Sequence, residues 1–331
     1  MSRPVILVTG GAGFIGSNIV ADLAADHEVA VCDRLGPADD GKWRNLAKHP
    51  IADFIAPEAI WAWLARRGEA VEAIVHMGAI SSTTHPDADE VMHVNFGLSR
   101  DLWDWCAAHQ RRLIYASSAA TYGDGAAGFD DADDLDSLTR LRPLNVYGWS
   151  KALFDIHARR EADRGHAPAQ WAGLKFFNVY GPNEGHKGPM KSVACQIWPK
   201  VAAGEPVRLF KSHREGFADG GQMRDFVHVG DAAAVVRWLL ASPGVNGVFN
   251  LGSGQARSFA DLAQAVFAAA GRPARIEYFD MPEALRDRYQ YFTQARLDRL
   301  RAAGYAAAFT PLEQGIEDYV RGYLSQPDPY R

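Results

Sequence analysis

Cysteine is scarce in this 331-residue chain, which contains only Cys32, Cys106 and Cys195. The number is odd and no two of them form a C-x-x-C pair, which argues against a disulfide framework and a cysteine zinc site. We therefore expect buried thiols in a reducing compartment, and we predict a cytoplasmic protein. The 11 histidines show no H-E-x-x-H or similar ligand spacing, so no metal site is predicted.

A strong excess of charge of one sign is also lacking. The 35 basic and 40 acidic residues give a net charge of −5, which argues against a nucleic acid polymer or an anionic membrane as partner. No segment approaches the roughly 18 uninterrupted apolar residues of a membrane span. The first residues also lack the basic, apolar and small-residue regions of a signal peptide.

What the first half does contain is an alternation of short apolar runs with helical patterns. At roughly 150 residues per domain, the length allows about two domains. Apolar strands that alternate with helices are typical of a parallel sheet covered on both faces, so we predict an α/β, doubly wound (Rossmann) sheet. The predicted strands lie at 5–8, 29–32, 73–76, 113–116 and 174–177, and the first helix at 17–25.

The alternation weakens after about residue 178. We predict a Rossmann domain over residues 1–177 and a smaller α/β substrate domain over 178–331, with segments near 226–253 packing back on the first. The polar segment 215–222 is expected to be a loop. Predicted elements here are a strand at 248–251, a helix capped by Ser258 and a helix at about 312–324.

The first strand is followed by a glycine-rich loop that opens a helix. Gly10, Gly13 and Gly16 lack side chains, which lets the backbone turn tightly and approach a pyrophosphate at the helix N-terminus. Phe14 and Ile15 complete this predicted phosphate loop. Asp33 ends the next strand about 20 residues on, where a carboxylate can bond ribose hydroxyls. The pattern predicts a nicotinamide dinucleotide site.

The choice between NAD and NADP is open from these residues. Asp33 favours NAD because a carboxylate repels a 2′-phosphate, whereas Arg34 and Lys42 could pair with that phosphate. Further predicted cofactor contacts follow the strand that ends at residue 76, where cofactors lie in such folds. They are Met77, Gly78, Ala79, Ser81 and, within a helix, Asn95.

A second set of residues has the spacing of a proton-transfer site. Tyr147 and Lys151 are four residues apart, so a helix places both on one face. A nearby ammonium and an oxidised nicotinamide both favour the phenolate and should lower the pKa of the tyrosine. Ser118, just past another strand, can bond the reacting oxygen while the tyrosine takes its proton.

Together, the glycine loop, the serine and the Tyr/Lys pair resemble the extended short-chain dehydrogenase/reductase family. Longer segments are similar to the ADP-L-glycero-D-manno-heptose 6-epimerases, along nearly the whole chain. The most discriminating segment is E-G-H-K-G at 184–188. The others are N-V-Y-G-P-N at 178–183, A-I-S-S-T-T at 79–84, P-L-N-V-Y at 143–147, R-D-F-V-H-V-G-D at 224–231, Y-Q-Y-F-T-Q at 289–294 and L-R-A-A-G-Y at 300–305.

This resemblance implies inversion of the exocyclic C6 centre of ADP-glycero-manno-heptose, supplying heptose for the lipopolysaccharide core. The sugar is oxidised transiently to a 6-ketone with NADP as cofactor. The two epimers present their hydroxyls differently, and the resemblance implies a second base at Lys187, with Tyr147 serving one epimer and Lys187 the other. A working Lys187 needs a lowered pKa. The family also implies a homo-oligomer, as a pentamer.

The resemblance further implies contacts to the substrate and one more to the cofactor. Val179 would lie near the nicotinamide, and Arg224 would clamp the diphosphate. Besides Ser81, Ser118, Lys187 and Arg224, the implied substrate contacts are Asn178, Gln196, Phe210, Lys211, Ser212, His213 and Tyr289.

Four departures from the family pattern affect substrate detail and NADP binding. Pro189 replaces a serine that contacts substrate, and Gln196 replaces a histidine that faces substrate. Pro57 stands where a lysine would contact the cofactor, and residues 215–222 resemble a partial insertion. The nearest alternative is another nucleotide-sugar epimerase, such as a 4-epimerase. A 4,6-dehydratase is disfavoured because Ala119 and Ala120 stand where its acidic pair would be. A non-catalytic dinucleotide sensor would not need the full proton-transfer set.

Overall fold

The computed structural model of the chain describes residues 4–286 and 289–331, apart from the side chains of residues 284 and 285. Its strands are β1 (Val5–Thr9), β2 (Glu28–Cys32), β3 (Asp53–Ile55), β4 (Val71–His76), β5 (Arg112–Ser118), β6 (Gln170–Phe176), β7 (Asn178–Tyr180), β8 (Val207–Phe210), β9 (Met223–His228), β10 (Gly247–Leu251), β11 (Ala256–Ser258) and β12 (Ile276–Phe279).

The α-helices of these described residues lie between and after the strands. They are α1 (Phe14–Leu23), α2 (Ile60–Arg67), α3 (Ala88–Met92), α4 (Leu98–Ala108), α5 (Leu135–Thr139), α6 (Val146–Asp163), α7 (Val193–Ala203), α8 (Val229–Ala241), α9 (Phe259–Ala269), α10 (Glu283–Arg286), α11 (Asp298–Ala302) and α12 (Leu312–Tyr319). Short 3₁₀ turns supplement them, and one of these, Gly185–Met190, carries the E-G-H-K-G segment.

Seven strands form the main sheet in the order β3-β2-β1-β4-β5-β6-β10, and every pairing is parallel. All five residues of β1 are buried, and alternate ones face opposite cores. Ile6 and Val8 pack with α1 and α8 on one face, whereas Val5 and Leu7 pack with α2, α4 and α6 on the other. The predicted doubly wound α/β fold is confirmed.

A second, smaller core lies around two short sheets. One sheet has the order β11-β9-β7 and the other pairs β12 with β8. Their apolar residues pack with α7, α9 and α12 around side chains such as Val207, Leu262 and Ile316. Between these elements the chain contributes α8 and β10 to the main sheet and its core, so the two cores are interleaved in sequence.

Element boundaries differ from the predicted ones where caps and short strands decide them. Helix α1 begins at Phe14 rather than residue 17, because Gly13 is extended and serves as its N-cap. Strand β6 begins at Gln170 and ends at Phe176, and the predicted helix at 312–324 is α12 followed by a π-helical turn. The short strands β3, β7, β8, β9, β11 and β12 were not among the predicted strands.

Three further predictions concern single features. Ser258 caps α9 through a reciprocal capping box with Asp261, as predicted. Cys32 and Cys106 are buried, but Cys195 is only half-buried, so the expectation of a buried thiol is wrong there. Within the described parts of the chain, no helix combines the length and apolar character needed to cross a membrane.

Candidate active site

The glycine loop lies at the carboxyl edge of the main sheet, between β1 and α1. Gly10 has a φ of +65°, and a Cβ atom there would lie 2.6 Å from the backbone nitrogen of Gly78. A Cβ atom on Gly16 would overlap the carbonyl oxygen of Gly10. No side chain caps the first turn of α1, so its N–H groups face the loop free to bind an anion. The local geometry is that of a phosphate-binding loop.

Asp33 lies just after β2, beside this loop. Its carboxylate accepts hydrogen bonds from the backbone nitrogens of Ala12 at 2.9 Å and Arg34 at 2.7 Å, and from Lys42 Nζ at 2.8 Å. The carboxylate is thereby held at the position where ribose hydroxyls lie in dinucleotide-binding folds.

One cavity of about 290 Å³ brings together most of the predicted cofactor and catalytic residues. It runs from the glycine loop past β4 to the start of α6 and the Gly185–Met190 turn. Predicted residues that line it are Gly10, Gly13, Phe14, Ile15, Gly16, Asp33, Lys42, Met77, Gly78, Ala79, Ser81, Tyr147, Lys151 and Lys187. The cavity therefore joins elements from both of the predicted domains.

Tyr147 and Lys151 reach this cavity from the first turns of α6. Asn145 caps the helix by accepting a 2.8 Å hydrogen bond from the backbone nitrogen of Gly148. Ser118 ends β5 and is buried, and its hydroxyl accepts a 3.1 Å hydrogen bond from the backbone nitrogen of Ala120. The Ser118 hydroxyl also lies close enough to Tyr147 to act on the pKa of the phenol.

Burial governs the titration of this pair. It raises the pKa of Tyr147, and only the hydrogen bond with Ser118 opposes this rise. It also lowers the pKa of Lys151 to about 8, with Asp155 acting in the opposite direction. The pKa of Tyr147 is thus raised above its ordinary value, because the burial of the phenolate outweighs the effect of Ser118.

Lys187 reaches the cavity from the Gly185–Met190 turn. Its Nζ lies 4.8 Å from the centroid of the Phe14 ring. Burial lowers its pKa, and the carboxylate of Glu184 acts in the opposite direction. Glu184 is itself buried and accepts hydrogen bonds from Ser192 and from Tyr319, which anchors the turn that carries Lys187.

Of the predicted substrate contacts, only Tyr289 lines a second cavity, of about 580 Å³. Arg224 is buried, and its guanidinium carbon lies 5.3 Å from the Tyr289 ring, while Phe210 packs edge-on against that ring at 6.0 Å. His213 accepts a hydrogen bond from the backbone nitrogen of Met281 at 3.2 Å. Lys211 pairs with Asp280 at 3.5 Å. The backbone nitrogen of Ser212 donates a 2.8 Å hydrogen bond to Asp219.

Several predicted residues lie outside both cavities. Asn95 is buried in a π-helical turn and bonds both backbone groups of Ile80. Val179 is half-buried, Asn178 is exposed at the start of β7, and Gln196 is exposed and donates to the carbonyls of Pro189 and Lys191. Arg34 lies in a neighbouring cavity on the other side of Gly10.

Comparison with known proteins agrees with this geometry. Residues 6–252 match the model of the NAD dependent epimerase/dehydratase family. The chain belongs to this family.

Individual members of the family are similar along the whole chain. A protein of Nitratidesulfovibrio vulgaris named ADP-L-glycero-D-manno-heptose-6-epimerase is 48% identical, over 98% of this chain and 99% of that one. The crystal structure of the Helicobacter pylori ADP-L-glycero-D-manno-heptose-6-epimerase is 28% identical with a TM-score of 0.77, over 97% and 96%. Thermus thermophilus UDP-glucose 4-epimerase, solved with NAD, is 28% identical with a TM-score of 0.73, over 96% and 99%. The resemblance inferred from the sequence is confirmed.

The cofactor of the epimerase/dehydratase family is a nicotinamide dinucleotide, and the residues present fit it. Neither Gly10 nor Gly16 has room for a Cβ atom. Because the loop carries no side chains at these positions, its backbone can approach a diphosphate closely. The free N–H groups of α1 and the carboxylate of Asp33 supply the expected partners for diphosphate and ribose.

Sequence reasoning missed a buried group of charges behind the Tyr/Lys pair of this epimerase-family site. Asp155 accepts hydrogen bonds from Lys175 Nζ and Ser117 Oγ, both at 2.7 Å, and from Tyr115. Lys175 also donates to Thr121 at 2.8 Å. The available signals were Asp155 four residues after Lys151, and a lysine within the otherwise apolar strand β6.

Other missed residues line the first cavity. Three of them lie near the carboxyl ends of β5 and β6, where the register of the sheet decides which side chains reach the cavity: Ala116, Ser117 and Phe176. The fourth is His186, directly before Lys187. The pKa of His186 is lowered to about 4 by burial and by the charge of Lys42. The E-G-H-K-G segment was itself the signal for His186.

Proposed function

We propose that this chain inverts C6 of ADP-glycero-manno-heptose, from D-glycero to L-glycero, and so supplies heptose for the lipopolysaccharide core. The observation that carries the proposal is that Tyr147 and Lys187, two residues able to exchange a proton, line one cavity together with the glycine loop. The whole-chain similarity to proteins named for this reaction supports the substrate.

The reaction passes through a 6-ketone. Inversion requires that the hydride leave one face of C6 and return to the opposite face, so the C6 oxygen needs a proton-transfer group in both epimers. A bound nicotinamide would supply reversible hydride transfer at C6. Ser118 hydrogen-bonds the C6 oxygen, and Tyr147 takes or returns its proton for one epimer. For the other epimer Lys187 performs the same transfer, since its lowered pKa makes the neutral amine available at a lower pH than for an ordinary lysine. A bound oxidised nicotinamide would add a positive charge that, together with a protonated Lys151, favours the phenolate and so opposes the rise that burial gives the pKa of Tyr147.

The substrate diphosphate is proposed to bind at Arg224, with Tyr289, Phe210 and the segment up to His213 around the nucleotide. Asn178 and Gln196 remain predicted substrate contacts, and Val179 and Asn95 remain predicted supports of the cofactor. NADP is the proposed cofactor, with Arg34 and Lys42 as the cations beside the adenosine ribose, and NAD is the alternative. The proposed assembly is a homo-oligomer, with a pentamer to be tested by light scattering.

The decisive experiment incubates the purified protein with one C6 epimer of ADP-glycero-manno-heptose, without added oxidant, and follows the sugar by NMR. We expect conversion to a mixture of both epimers. Parallel incubation with UDP-glucose tests the 4-epimerase alternative through inversion at C4. Cofactor-bound protein that inverts neither sugar would contradict the proposal and favour a sensor.

Two substitutions test the assigned bases in the same assay. Tyr147→Phe and Lys187→Met should each slow inversion by about 10²–10⁴-fold, because each removes a proton-transfer group. Matched controls are Tyr278→Phe and Lys191→Met, whose side chains lie outside the cavity and should leave the rate within about twofold of the original. An unimpaired Lys187→Met variant would remove Lys187 from the catalytic role.

A further inference from the structure

A third cavity, with a volume of about 590 Å³, adjoins the dinucleotide site at Gly10 and Gly78. Asp33 and Arg34 line it, so it lies on the ribose side of the proposed cofactor position. Its described lining also contains the carboxylates of Glu58, Glu90 and Asp101, against Arg34 as its one lysine or arginine. The surroundings of the ribose are therefore acidic.

Arg34 is already paired in this arrangement. Its Nε and Nη2 both donate to one oxygen of Glu58, with 3.1 Å between Nε and that oxygen. Glu58 follows β3 in a short 3₁₀ turn, next to Pro57. The other nearby cation, Lys42, is held by Asp33 at 2.8 Å and by the carbonyl of Arg34 at 2.6 Å. Both of the cations predicted to meet a 2′-phosphate, Arg34 and Lys42, thus have a carboxylate partner.

We propose that Glu58 determines the selectivity between NADP and NAD by competing with the 2′-phosphate for the guanidinium of Arg34. The inference rests on the proposed dinucleotide site and adds a residue that works against NADP. A guanidinium recognises a phosphate best when its N–H groups are free to bond in pairs. Glu58 occupies two of those groups and places a negative charge beside the 2′ position, while NAD carries no group there.

The pair is not needed to hold the fold. The side chains of Arg34 and Glu58 are 70% and 63% exposed, and an ion pair so exposed contributes little to stability. Because the side chain of Arg34 is exposed, it can turn towards a phosphate when a neutral residue replaces Glu58. Arg34 lowers the pKa of Glu58, so the carboxylate is ionised at neutral pH and repels a phosphate.

The test measures nucleotide binding directly, without the sugar substrate. The protein is freed of bound nucleotide and titrated calorimetrically with NAD and with NADP at one salt concentration. In Glu58→Gln the affinity for NADP should rise about three- to tenfold, as expected when one charge is removed close to a phosphate, and NAD should change less than twofold. Arg34→Gln should weaken NADP binding, and in that background Glu58→Gln should raise the affinity for NADP less than it does in the original protein.

Glu90→Gln is the matched control, because it removes one negative charge from the same cavity without releasing Arg34 from its hydrogen bonds. An unchanged NADP-to-NAD ratio in Glu58→Gln overturns the inference. An equal gain in Glu90→Gln also overturns it, since the effect would then belong to the total charge. Protein that binds neither nucleotide would contradict the proposed cofactor site itself, and protein that binds both but inverts no sugar would contradict only the proposed reaction.

Discussion

Histidine 76 shows at the scale of one residue how burial controls a titration. His76 ends β4 and is fully buried between two hydroxyls, with Thr9 Oγ1 at 2.6 Å from Nδ1 and Ser99 Oγ at 2.9 Å from Nε2. Burial, helped by the charge of Lys151, lowers its pKa to about 3. A hydroxyl can either donate or accept a hydrogen bond, so the two hydroxyls can bond both nitrogens of a neutral imidazole, one of which donates while the other accepts.

This histidine should make the protein less stable in mild acid. In the unfolded chain His76 takes a proton near pH 6.5, whereas in the folded chain it stays neutral down to about pH 3. The unfolded state therefore binds more protons between these values, and the free energy of unfolding falls as the pH falls. From pH 7 to pH 5.5 we expect His76 alone to account for a loss of about 1 kcal/mol.

Urea unfolding at the two pH values measures this loss. A His76→Gln variant should lose less stability between pH 7 and 5.5 than the original protein. The matched control is His109→Gln, which changes an exposed histidine and should keep the original pH dependence. An identical pH dependence in the His76→Gln protein would show that this residue does not carry the effect.

At the scale of elements, the connection between β1 and α1 determines how closely α1 and the end of β4 can approach β1. Gly16 lies in the first turn of α1, where its Cα faces the carbonyl of Gly10. The spacing of the glycines predicted this loop because its geometry is local to about seven residues. The same holds for the Tyr147/Lys151 pair, whose common face follows from helix periodicity.

Gly16→Ala should disturb this connection. The new methyl group would overlap the carbonyl of Gly10, so either α1 or the loop has to move. We expect the free energy of unfolding to fall by about 1–3 kcal/mol, in the range of overpacked sites, and dinucleotide binding to weaken at least about tenfold. Chemical unfolding and calorimetric titration with nucleotide give the two values.

Gly322→Ala provides the comparison, because a Cβ atom at Gly322 meets nothing within 4 Å. That variant should bind nucleotide like the original protein. Equal effects of the two substitutions would contradict the steric account of Gly16.

At the scale of the whole molecule, residues 328–331 fold back across the cofactor side. Lys48 donates to the carbonyl of Tyr330 at 2.6 Å, and the guanidinium of Arg44 lies 5.8 Å from the Tyr330 ring. The backbone nitrogen of Arg331 donates to Asn183 at 2.9 Å, close in sequence to Lys187. This segment therefore ties the loop that carries Lys42 to the segment that precedes Lys187.

Tyr330→Ala should loosen that tie. We expect faster amide hydrogen exchange across residues 38–45 and release of bound dinucleotide accelerated several-fold, since the aromatic ring no longer packs against this loop. Asp328→Asn removes the charge of the exposed pair with Lys48 but keeps an oxygen that can accept the hydrogen bond from the backbone nitrogen of Tyr330, so it should leave both rates nearly unchanged. Unaltered exchange in Tyr330→Ala would show that the loop is held by its own contacts.

The sequence by itself determined the features that depend on neighbours along the chain. Apolar runs predicted the parallel sheet, and the glycine spacing, the Tyr/Lys spacing and the E-G-H-K-G segment pointed to the family that the comparisons confirm. Boundaries were less predictable, because the cap at Gly13 and the six three- to six-residue strands outside the main pattern are decided by a few hydrogen bonds.

Only the tertiary structure decided which distant residues meet. Lys187 lines the same cavity as Tyr147 because the turn after β7 folds over the glycine loop. The Asp155–Lys175 pair depends on how α6 lies across β5 and β6, and the Arg34–Glu58 pair on the alignment of β2 with β3. Such contacts join residues 20 or more positions apart, so they follow from sheet register and helix packing, which no local pattern encodes.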